Sequence, residues 1–261
     1  EISRKNCVTV WNYPGDRIEN AYRFHELGFD AVSWLGSDFA NMTEAEDERL
    51  VEMLRKTGML LTVHSRMPNP DKPELCEAFH REMWRAAAWQ KKYGLIYSYT
   101  FDFWTAVETT VPYLDEALKT FRGLNVVVAC EDIPLNAHQL EAFLPYITDE
   151  DKFGVLIDVG HMNIRQRSME LIEDEDFIAA FDALPLPIIE VHFSGNRSYK
   201  DEHMYLSYGT VPLDAICRGM KHRGFDGFAT MEIVFHDWTL DQAFDYAVSS
   251  RELFLKHWAE A

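Results

Sequence analysis

The sequence predicts an α/β fold, a single-domain (β/α)8 TIM barrel that spans residues 1–261. Short apolar runs alternate with segments of helical period along the whole chain, which makes about eight β-α units. The runs are largely apolar, as expected of parallel strands covered on both faces. The segment after the first strand, WNYPGDRIEN, lacks the GxGxxG pattern of a doubly wound dinucleotide-binding sheet.

The first four units are predicted from this alternation. Each predicted strand is a short apolar run, and each predicted helix is the polar and apolar segment that follows it. The strands are predicted at Cys7–Trp11, Asp30–Leu35, Met59–His64 and Leu95–Phe101. The helices are predicted near Arg17–Leu27, Thr43–Thr57, Pro73–Tyr93 and Val111–Arg122.

The second half repeats the pattern, with a long polar loop after the seventh strand. The strands are predicted at Asn125–Glu131, Phe153–Asp158, Pro187–Phe193 and Gly227–Val234. The helices are predicted near Ala137–Tyr146, Met169–Leu184, Pro212–Arg223 and Leu240–Trp258. No linker or low-complexity tract separates the two halves, so one domain is expected.

The composition argues against nucleic acid and membranes as partners. The net charge is −18 at pH 7 and the pI is near 4.9. A protein that binds nucleic acid usually has a basic surface that displaces counterions from phosphates, and this chain would repel a polyanion over most of its surface. No stretch approaches the roughly 20 consecutive apolar residues of a transmembrane helix.

The cysteines favour a cytoplasmic protein. Cys7, Cys76, Cys130 and Cys217 are scattered and form no CxxC pair, which is typical of reduced thiols. The segment EISRKNCVTV has neither an apolar core nor a cleavage site of a signal peptide. The first residue is Glu rather than Met, so preceding residues, including a removed signal, stay open.

Polar side chains stand at the carboxyl ends of the predicted strands, where a barrel of this kind has its active site. A carboxylate there is commonly a helix cap or turn residue, and a lone histidine is commonly a hydrogen-bonded core residue. Glu131 and Glu232 are harder to explain in this way, because each would carry an unpaired charge into the barrel mouth. The candidates are His64, Glu131, Asp158, His161, His192 and Glu232, with Arg197, Asp201 and His203 in the loop after the seventh strand.

Together these side chains predict a divalent metal site. Three carboxylates and several imidazoles directed at one mouth would repel one another or lack partners without a cation. Carboxylate oxygens with imidazole nitrogens suit Mn, Zn, Fe or Co, and suit Mg less well. Because no thiolate lies nearby in the sequence pattern, a closed structural zinc site is not expected.

The ordered motifs CEDIP, IDVGH, EVHFSGNR, DEH…YGTVPLD and ATMEI resemble those of the xylose isomerase-like barrel superfamily, over essentially the whole chain. That group includes sugar isomerases, ketose 3-epimerases and endonuclease IV enzymes. Resemblance to the epimerases implies Glu131, Asp158, His192 and Glu232 as the ligands of one metal ion. It also implies a small sugar, sugar phosphate or polyol as substrate, with proton transfer between the two glutamates, which are its catalytic residues.

The same resemblance implies substrate-binding residues and leaves a rival. His161 and Arg197 match positions that hold substrate oxygens in the epimerases. His64, Asp201 and His203 are interpreted as substrate-binding too, but they also match ligands of the endonuclease IV zinc cluster. A second metal ion, and a phosphodiesterase activity, are therefore the alternative.

One departure from the endonuclease IV pattern counts against that alternative. The endonucleases have a further histidine ligand at the end of strand four, where this chain reads YTFDFW. A dehydratase or lyase on the same metal site is also compatible with the motifs, and so is a sugar-binding or regulatory barrel without catalysis.

Two further features have two interpretations each. Trp11, Trp34, Phe103 and Trp104 fall near strand ends, as packing residues or as a platform for a sugar. The segment SGNRSYK (194–200) combines a glycine interpreted as flexible with two cationic side chains, either to bind an anionic substrate group or as a solvated loop. A homo-oligomer is compatible with the sequence, which does not specify it.

Overall fold

Eight parallel strands close into one barrel in chain order. The computed structural model describes residues 5–66, 68–102, 107–132, 137–165 and 174–261. The strands are β1 (Asn6–Thr9), β2 (Ala31–Leu35), β3 (Leu60–Ser65), β4 (Ile96–Asp102), β5 (Val127–Asp132), β6 (Phe153–Asp158), β7 (Ile188–Phe193) and β8 (Phe228–Met231). The predicted α/β barrel is confirmed.

Helices follow the strands around the barrel. They are α1 (Arg17–Glu26), α2 (Gly36–Asn41), α3 (Glu44–Thr57), α4 (Pro73–Tyr93), α5 (Val107–Phe121), α6 (Ala137–Leu140), α7 (Val159–Arg165), α8 (Asp174–Asp182), α9 (Leu213–His222) and α10 (Leu240–Glu260). Short 3-10 turns cover Val10–Asn12 and Glu141–Tyr146. Side chains cap the helix starts where the sequence offers them: Thr43 and Thr239 each form a reciprocal capping box with the residue three positions later.

The sequence did not predict α2 and α7, and it placed the end of the last strand too late. α2 and α7 follow β2 and β6 directly and are too short to give a clear helical period. β8 ends at Met231 because the chain beyond it bonds to the loop after β7, with Val234 N donating to His203 O at 2.9 Å. Residues 169–173 of the predicted sixth helix lie outside the described residues.

The strand register places the candidate side chains beside one another. Asp158 on β6 pairs with His192 on β7, and Asp102 on β4 pairs with Glu131 on β5. Paired residues on neighbouring strands point to the same face of a sheet, so these pairs share the barrel mouth. His64 on β3 pairs in the same way with Thr100 on β4.

The structure also bears on the cysteines and on membrane-spanning helices. All four cysteines lie in the described ranges, and none forms a disulfide. In the described part of the chain, no helix has both the length and the apolar character needed to cross a bilayer.

Candidate active site

Carboxylates and imidazoles alternate around the barrel mouth. Each member contacts the next through a carboxylate oxygen and an imidazole nitrogen. The imidazoles of His64 and His192 lie 5.4 Å apart between centroids, which closes the row from His64 to His192. We call these eight residues the carboxylate–imidazole ring. In order of contact they are Asp102, His64, Glu131, His161, Asp201, His203, Glu232 and His192.

His64 is held so that one of its nitrogens faces the mouth. Nδ1 lies 2.7 Å from Thr100 Oγ1, which lies 3.4 Å from Val63 O. Because the Thr100 hydroxyl donates to that carbonyl, it accepts the hydrogen bond from Nδ1. Nε2 then faces Asp102 Oδ1 at 2.9 Å and Glu131 Oε2 at 3.5 Å. The three side chains can direct one ligand atom each at a common cation.

The two oxygens of the Asp158 carboxylate have different environments. Oδ1 accepts a hydrogen bond of 2.8 Å from the backbone N–H of His161, the third residue of α7. Oδ2 is buried and has no hydrogen-bond partner among the described residues. The cap interpretation and the ligand interpretation therefore apply to different oxygens of the same carboxylate.

The same turn directs the His161 ring at two carboxylates. Nδ1 lies 3.3 Å from Glu131 Oε1, and Nε2 lies 3.1 Å from Asp201 Oδ2. His161 thus joins Glu131 on β5 to Asp201, one of the two ring members that the loop after β7 contributes.

The loop after β7 returns to the mouth as a hairpin. Gly195 and Met204 exchange two backbone hydrogen bonds, of 2.7 and 2.9 Å. Next to Met204, His203 has a φ of +45°, which is uncommon for a residue with a Cβ. This backbone places His203 Nε2 2.7 Å from Asp201 Oδ2 and Nδ1 3.7 Å from Glu232 Oε2.

Two glycines in this loop are required by close backbone contacts. A Cβ at Gly195 would lie 2.3 Å from Tyr205 O, and a Cβ at Gly209 would lie 2.0 Å from Asn196 O. The interpretation of Gly195 as a flexible residue is therefore wrong: it is buried and packed against the returning strand of the hairpin. Asn196 is buried as well, and its side chain donates to Gly160 O at 2.9 Å.

We expect Gly209→Ala to destabilise the protein more than Gly15→Ala does. The two glycines have nearly equal φ, +94° and +93°, but Gly15 has open space around its Cβ position. Both substitutions should cost about 1–2 kcal/mol for the left-handed backbone, and Gly209→Ala should cost a further 1–3 kcal/mol, roughly, for the clash. Urea unfolding of the two variants measures the difference. Equal losses would contradict the packing role of Gly209.

His192 lies between two carboxylates. Nδ1 is 2.9 Å from Glu232 Oε2 at the mouth, and Nε2 is 3.3 Å from Glu190 Oε1 on the inner side. Asp158, His192 and Glu232 form a second set of three ligand atoms that could share one cation. The side chain of His192 is 1% exposed, and that of Glu232 is 13% exposed.

The histidines of the ring hold protons tightly when carboxylates are their only partners. Burial alone would lower the pKa values of His64 and His203, but the neighbouring carboxylates outweigh it and raise them to about 9 and about 10. The Asp158 charge is the largest of the effects that raise the pKa of His161 to about 12. A cation that takes these nitrogens as ligands must therefore displace protons.

The two glutamates have pKa shifts of opposite sign. Burial, and then the Asp102 charge, raise the pKa of Glu131 to about 7. Burial acts on Glu232 in the same direction, but His192 and His203 lower its pKa far below the ordinary value. The two carboxylates at the mouth thus differ in their environment although both lie near the carboxyl ends of apolar strands.

The donor set fits divalent cations. In the described part of the chain, no Lys or Arg forms an ion pair with the ring, and Asp158 Oδ2 is a buried carboxylate oxygen without any partner. Oxygen and imidazole nitrogen are the ligands that Mn, Zn, Fe and Co accept. The sets at the mouth are Asp158/His192/Glu232, Glu131/Asp158/His161, His64/Asp102/Glu131 and His161/Asp201/His203.

All of the predicted site residues except Arg197 lie together at this mouth. Arg197 points elsewhere: Nη2 is 2.9 Å from Glu202 Oε1, the guanidinium lies over the Tyr208 ring at 5.2 Å, and the side chain is 60% exposed. Its assignment to substrate binding stays a prediction. Glu202 neutralises the Arg197 guanidinium. In this conformation Arg197 is therefore not free to bind an anionic substrate group, the role predicted for this loop.

The aromatic residues near the strand ends divide between the two interpretations. Trp11 stacks on His64 with 5.8 Å between ring centroids and 17° between planes, so it covers one face of the His64 imidazole. Trp34 is 3% exposed and packs in the core. Phe103 and Trp104 lie outside the described residues.

Sequence reasoning missed two carboxylates. Asp102 stands in YTFDFW as an acidic residue at the end of an apolar strand, which is the same signal that marks Asp158. It was missed because that segment was considered only for the histidine that the endonuclease IV enzymes have there. Glu190 lies within the apolar strand IIEVHF, two residues before His192. A charged residue inside a strand that is otherwise apolar is the signal for it.

Comparison with known proteins gives the family. The model of the family described as "Xylose isomerase-like TIM barrel" matches residues 22–256. An uncharacterized protein of Methanocaldococcus jannaschii, MJ1311, is 29% identical over 125 residues, which are 46% of this chain and 41% of that protein. The matched part thus spans less than half of that relative's own length.

Solved structures show the same fold over nearly the whole chain. D-psicose 3-epimerase from Clostridium cellulolyticum H10, crystallised with D-tagatose, has a TM-score of 0.69 at 14% identity and covers 97% of this chain and 99% of its own. L-ribulose 3-epimerase has a TM-score of 0.73 at 15% identity and covers 98% of this chain and 95% of its own. At these identities the likeness establishes the barrel fold.

Proposed function

The chain belongs to the xylose isomerase-like TIM barrel family, and from that premise we propose that it is a divalent-metal-dependent isomerase or epimerase. The proposed substrate is a small sugar, sugar phosphate or related polyol. The names of the structural neighbours, which are ketose 3-epimerases, support this class of substrate. The observation that carries the proposal is the placement of Glu131 and Glu232 on either side of Asp158 and His192 at one barrel mouth.

The four proposed metal ligands come from four consecutive strands. Glu131 is the next-to-last residue of β5, Asp158 ends β6, His192 lies on β7 and Glu232 follows β8 directly. Asp158 belongs to two of the possible ligand sets, one that contains Glu131 and another that contains His192 and Glu232. The buried Oδ2 of Asp158, which has no partner among the described residues, is the oxygen that would face the cation from the centre of this row.

The chemistry divides between the cation and the two glutamates. When bound, a divalent ion polarises the carbonyl of a ketose and makes the adjacent C–H more acidic. Glu131 and Glu232 stand on strands separated by β6 and β7, so their carboxylates approach a bound sugar from different sides. One removes the proton and the other returns a proton to the opposite face, which inverts the carbon. His161, next to both Glu131 and Asp158, is placed to hold a substrate oxygen.

We expect the purified protein to hold one divalent ion per chain and to exchange hydrogen with solvent at the carbon beside a ketose carbonyl. The measurement is metal analysis together with deuterium incorporation from D2O across a panel of ketoses. Protein treated with a chelator should lose the exchange, and Mn²⁺ should restore it. Product analysis separates epimerisation from dehydration or a lyase reaction, and binding without exchange would indicate a sugar-binding barrel.

A metal-dependent phosphodiesterase of the endonuclease IV type is the second candidate. The observation in its favour is that two more ligand sets adjoin the first, His64/Asp102/Glu131 and His161/Asp201/His203. Asp102 supplies a third donor beside His64, at the strand end where the resemblance leads one to expect a histidine. The net charge of −18 weighs against a DNA substrate. Two or three zinc ions per chain with cleavage of abasic DNA would favour this candidate over the epimerase.

A further inference from the structure

Glu190 is a carboxylate buried inside the barrel, one layer below the proposed metal centre. Its side chain is 1% exposed, and it precedes His192 by two residues on β7, so both point to the same face of the strand. Its neighbour across the ladder on β6 is Leu156, and on β8 it is Phe228. A charge in these surroundings requires an explanation, because a buried carboxylate without a cation is costly.

The Glu190 carboxylate is held in place and directed at His192. Thr230 Oγ1 donates a hydrogen bond of 2.5 Å to Oε1. His192 Nε2 lies 3.3 Å from the same oxygen, within ion-pair distance, and has no hydrogen-bond partner among the described residues. Within the described part of the chain, His192 is the only ion-pair partner of Glu190. The carboxylate thus serves the imidazole rather than a salt bridge of the barrel core.

The opposite nitrogen of the same ring faces the mouth. His192 Nδ1 is the atom next to Glu232 and belongs to the set with Asp158. A neutral imidazole carries its proton on one nitrogen only, so a carboxylate acceptor at Nε2 selects the form whose Nδ1 lone pair is free. Metal-bound histidines commonly donate their other N–H to a carboxylate, which fixes the ring and makes it a better ligand.

We propose that Glu190 is a positioning residue for His192: it accepts the Nε2–H and thereby presents Nδ1 to a divalent cation at the mouth. The inference rests on the proposed metal centre and adds to it an anchor, the Thr230–Glu190–His192 chain, that links β8 to β7 beneath the ligands. The anchor accounts for a buried charge that packing does not explain.

Glu190→Gln tests the inference. The amide keeps the volume and an acceptor oxygen but is a weaker acceptor than the carboxylate, so Mn²⁺ affinity measured by titration calorimetry should fall about tenfold or more, the usual range when the hydrogen-bond partner of a metal-bound histidine is changed. Glu82→Gln is the matched control. Glu82 is equally buried and accepts a 2.7 Å hydrogen bond from Ser65, but it belongs to none of the possible ligand sets, so its variant should bind Mn²⁺ within twofold of wild type.

A spectroscopic readout separates positioning from general damage. In protein loaded with Co²⁺, the Nε2–H of His192 should give a paramagnetically shifted proton resonance that exchanges slowly with water. Glu190→Gln should speed up that exchange or abolish the resonance, and Glu82→Gln should not. Thr230→Val removes the hydroxyl that holds Glu190 Oε1. It should weaken Mn²⁺ binding by less than Glu190→Gln does and by more than Glu82→Gln does, and it replaces Glu190→Gln as the test if that variant does not fold.

The outcomes distinguish this inference from the proposed function. Mn²⁺ binding by Glu190→Gln within twofold of wild type overturns the role of Glu190 and leaves the metal centre intact. If Glu190→Gln cannot be purified folded, wild-type affinity in Thr230→Val overturns it instead. A wild-type protein that binds no divalent cation overturns the proposed function itself, and the inference with it.

Discussion

Glu131→Gln and Glu232→Gln are each expected to lower the rate of epimerisation by about 10²–10⁴-fold, the usual contribution of a general acid or base. In the proposed reaction, one glutamate takes a proton from one face of the sugar and the other delivers a proton to the opposite face. Glutamine keeps the side-chain volume but can do neither. The rate is measured with whichever ketose the wild-type protein turns over, at a Mn²⁺ concentration that saturates each variant.

Deuterium exchange gives this prediction a sharper form. If each glutamate serves one face, each variant should still exchange hydrogen with one epimer and lose exchange with the other, in opposite senses for the two variants. Because both residues are also proposed metal ligands, the bound metal must be quantified in each variant. Glu82→Gln changes a buried carboxylate whose hydrogen bonds come from Ser65 and Arg66 and from no residue of the carboxylate–imidazole ring, so it should retain the wild-type rate. Undiminished turnover in Glu232→Gln would refute the two-glutamate reaction for any substrate.

The barrel was predictable because its strands and long helices are encoded locally. β6 was predicted with the observed bounds, Phe153–Asp158. The apolar run shows where the buried strand lies, and the acidic residue that closes the run marks its end. The helix predicted around Pro73–Tyr93 also has those bounds, with a proline at its first position and Gly94 in the left-handed conformation after it. α2 and α7 were missed because six or seven residues give too few turns for a helical period.

The site was predictable wherever a chemically distinctive side chain ends a strand. Asp158, His192 and Glu131 could be assigned to one mouth because parallel strands bring their carboxyl ends together. Arg197 could not be placed, because its direction depends on Glu202 five residues along a loop whose path is fixed by tertiary contacts. Glu190 and Asp102 were overlooked for a different reason: each carries a local signal, an acidic residue inside or at the end of an apolar strand, but that signal does not say that the carboxylate contacts His192 or His64.

Asp158→Asn is expected to abolish the stabilising effect of metal while leaving the metal-free protein as stable as wild type or more so. Asparagine can still accept the hydrogen bond from His161 N at Oδ1, and it removes the buried charge whose second oxygen has no partner among the described residues. Wild-type protein at a Mn²⁺ concentration of about 100 times Kd should gain about 2.7 kcal/mol of unfolding free energy. The variant should gain almost nothing at that concentration, because a central ligand is lost.

Asp47→Asn provides the opposite case and makes the Asp158 result interpretable. Asp47 is buried to a similar degree, but Arg85 lies 2.6 Å from its carboxylate and Trp89 donates to it at 3.1 Å. Removing one partner of a buried ion pair leaves the other charge uncompensated, at a cost of about 3–5 kcal/mol in a fully buried pair and less here, since Arg85 is partly exposed. Urea unfolding with and without Mn²⁺ should therefore show Asp47→Asn destabilised in both conditions and still stabilised by metal. If Asp158→Asn behaved like Asp47→Asn, the Asp158 carboxylate would be part of the barrel's packing and not a ligand held ready for a cation.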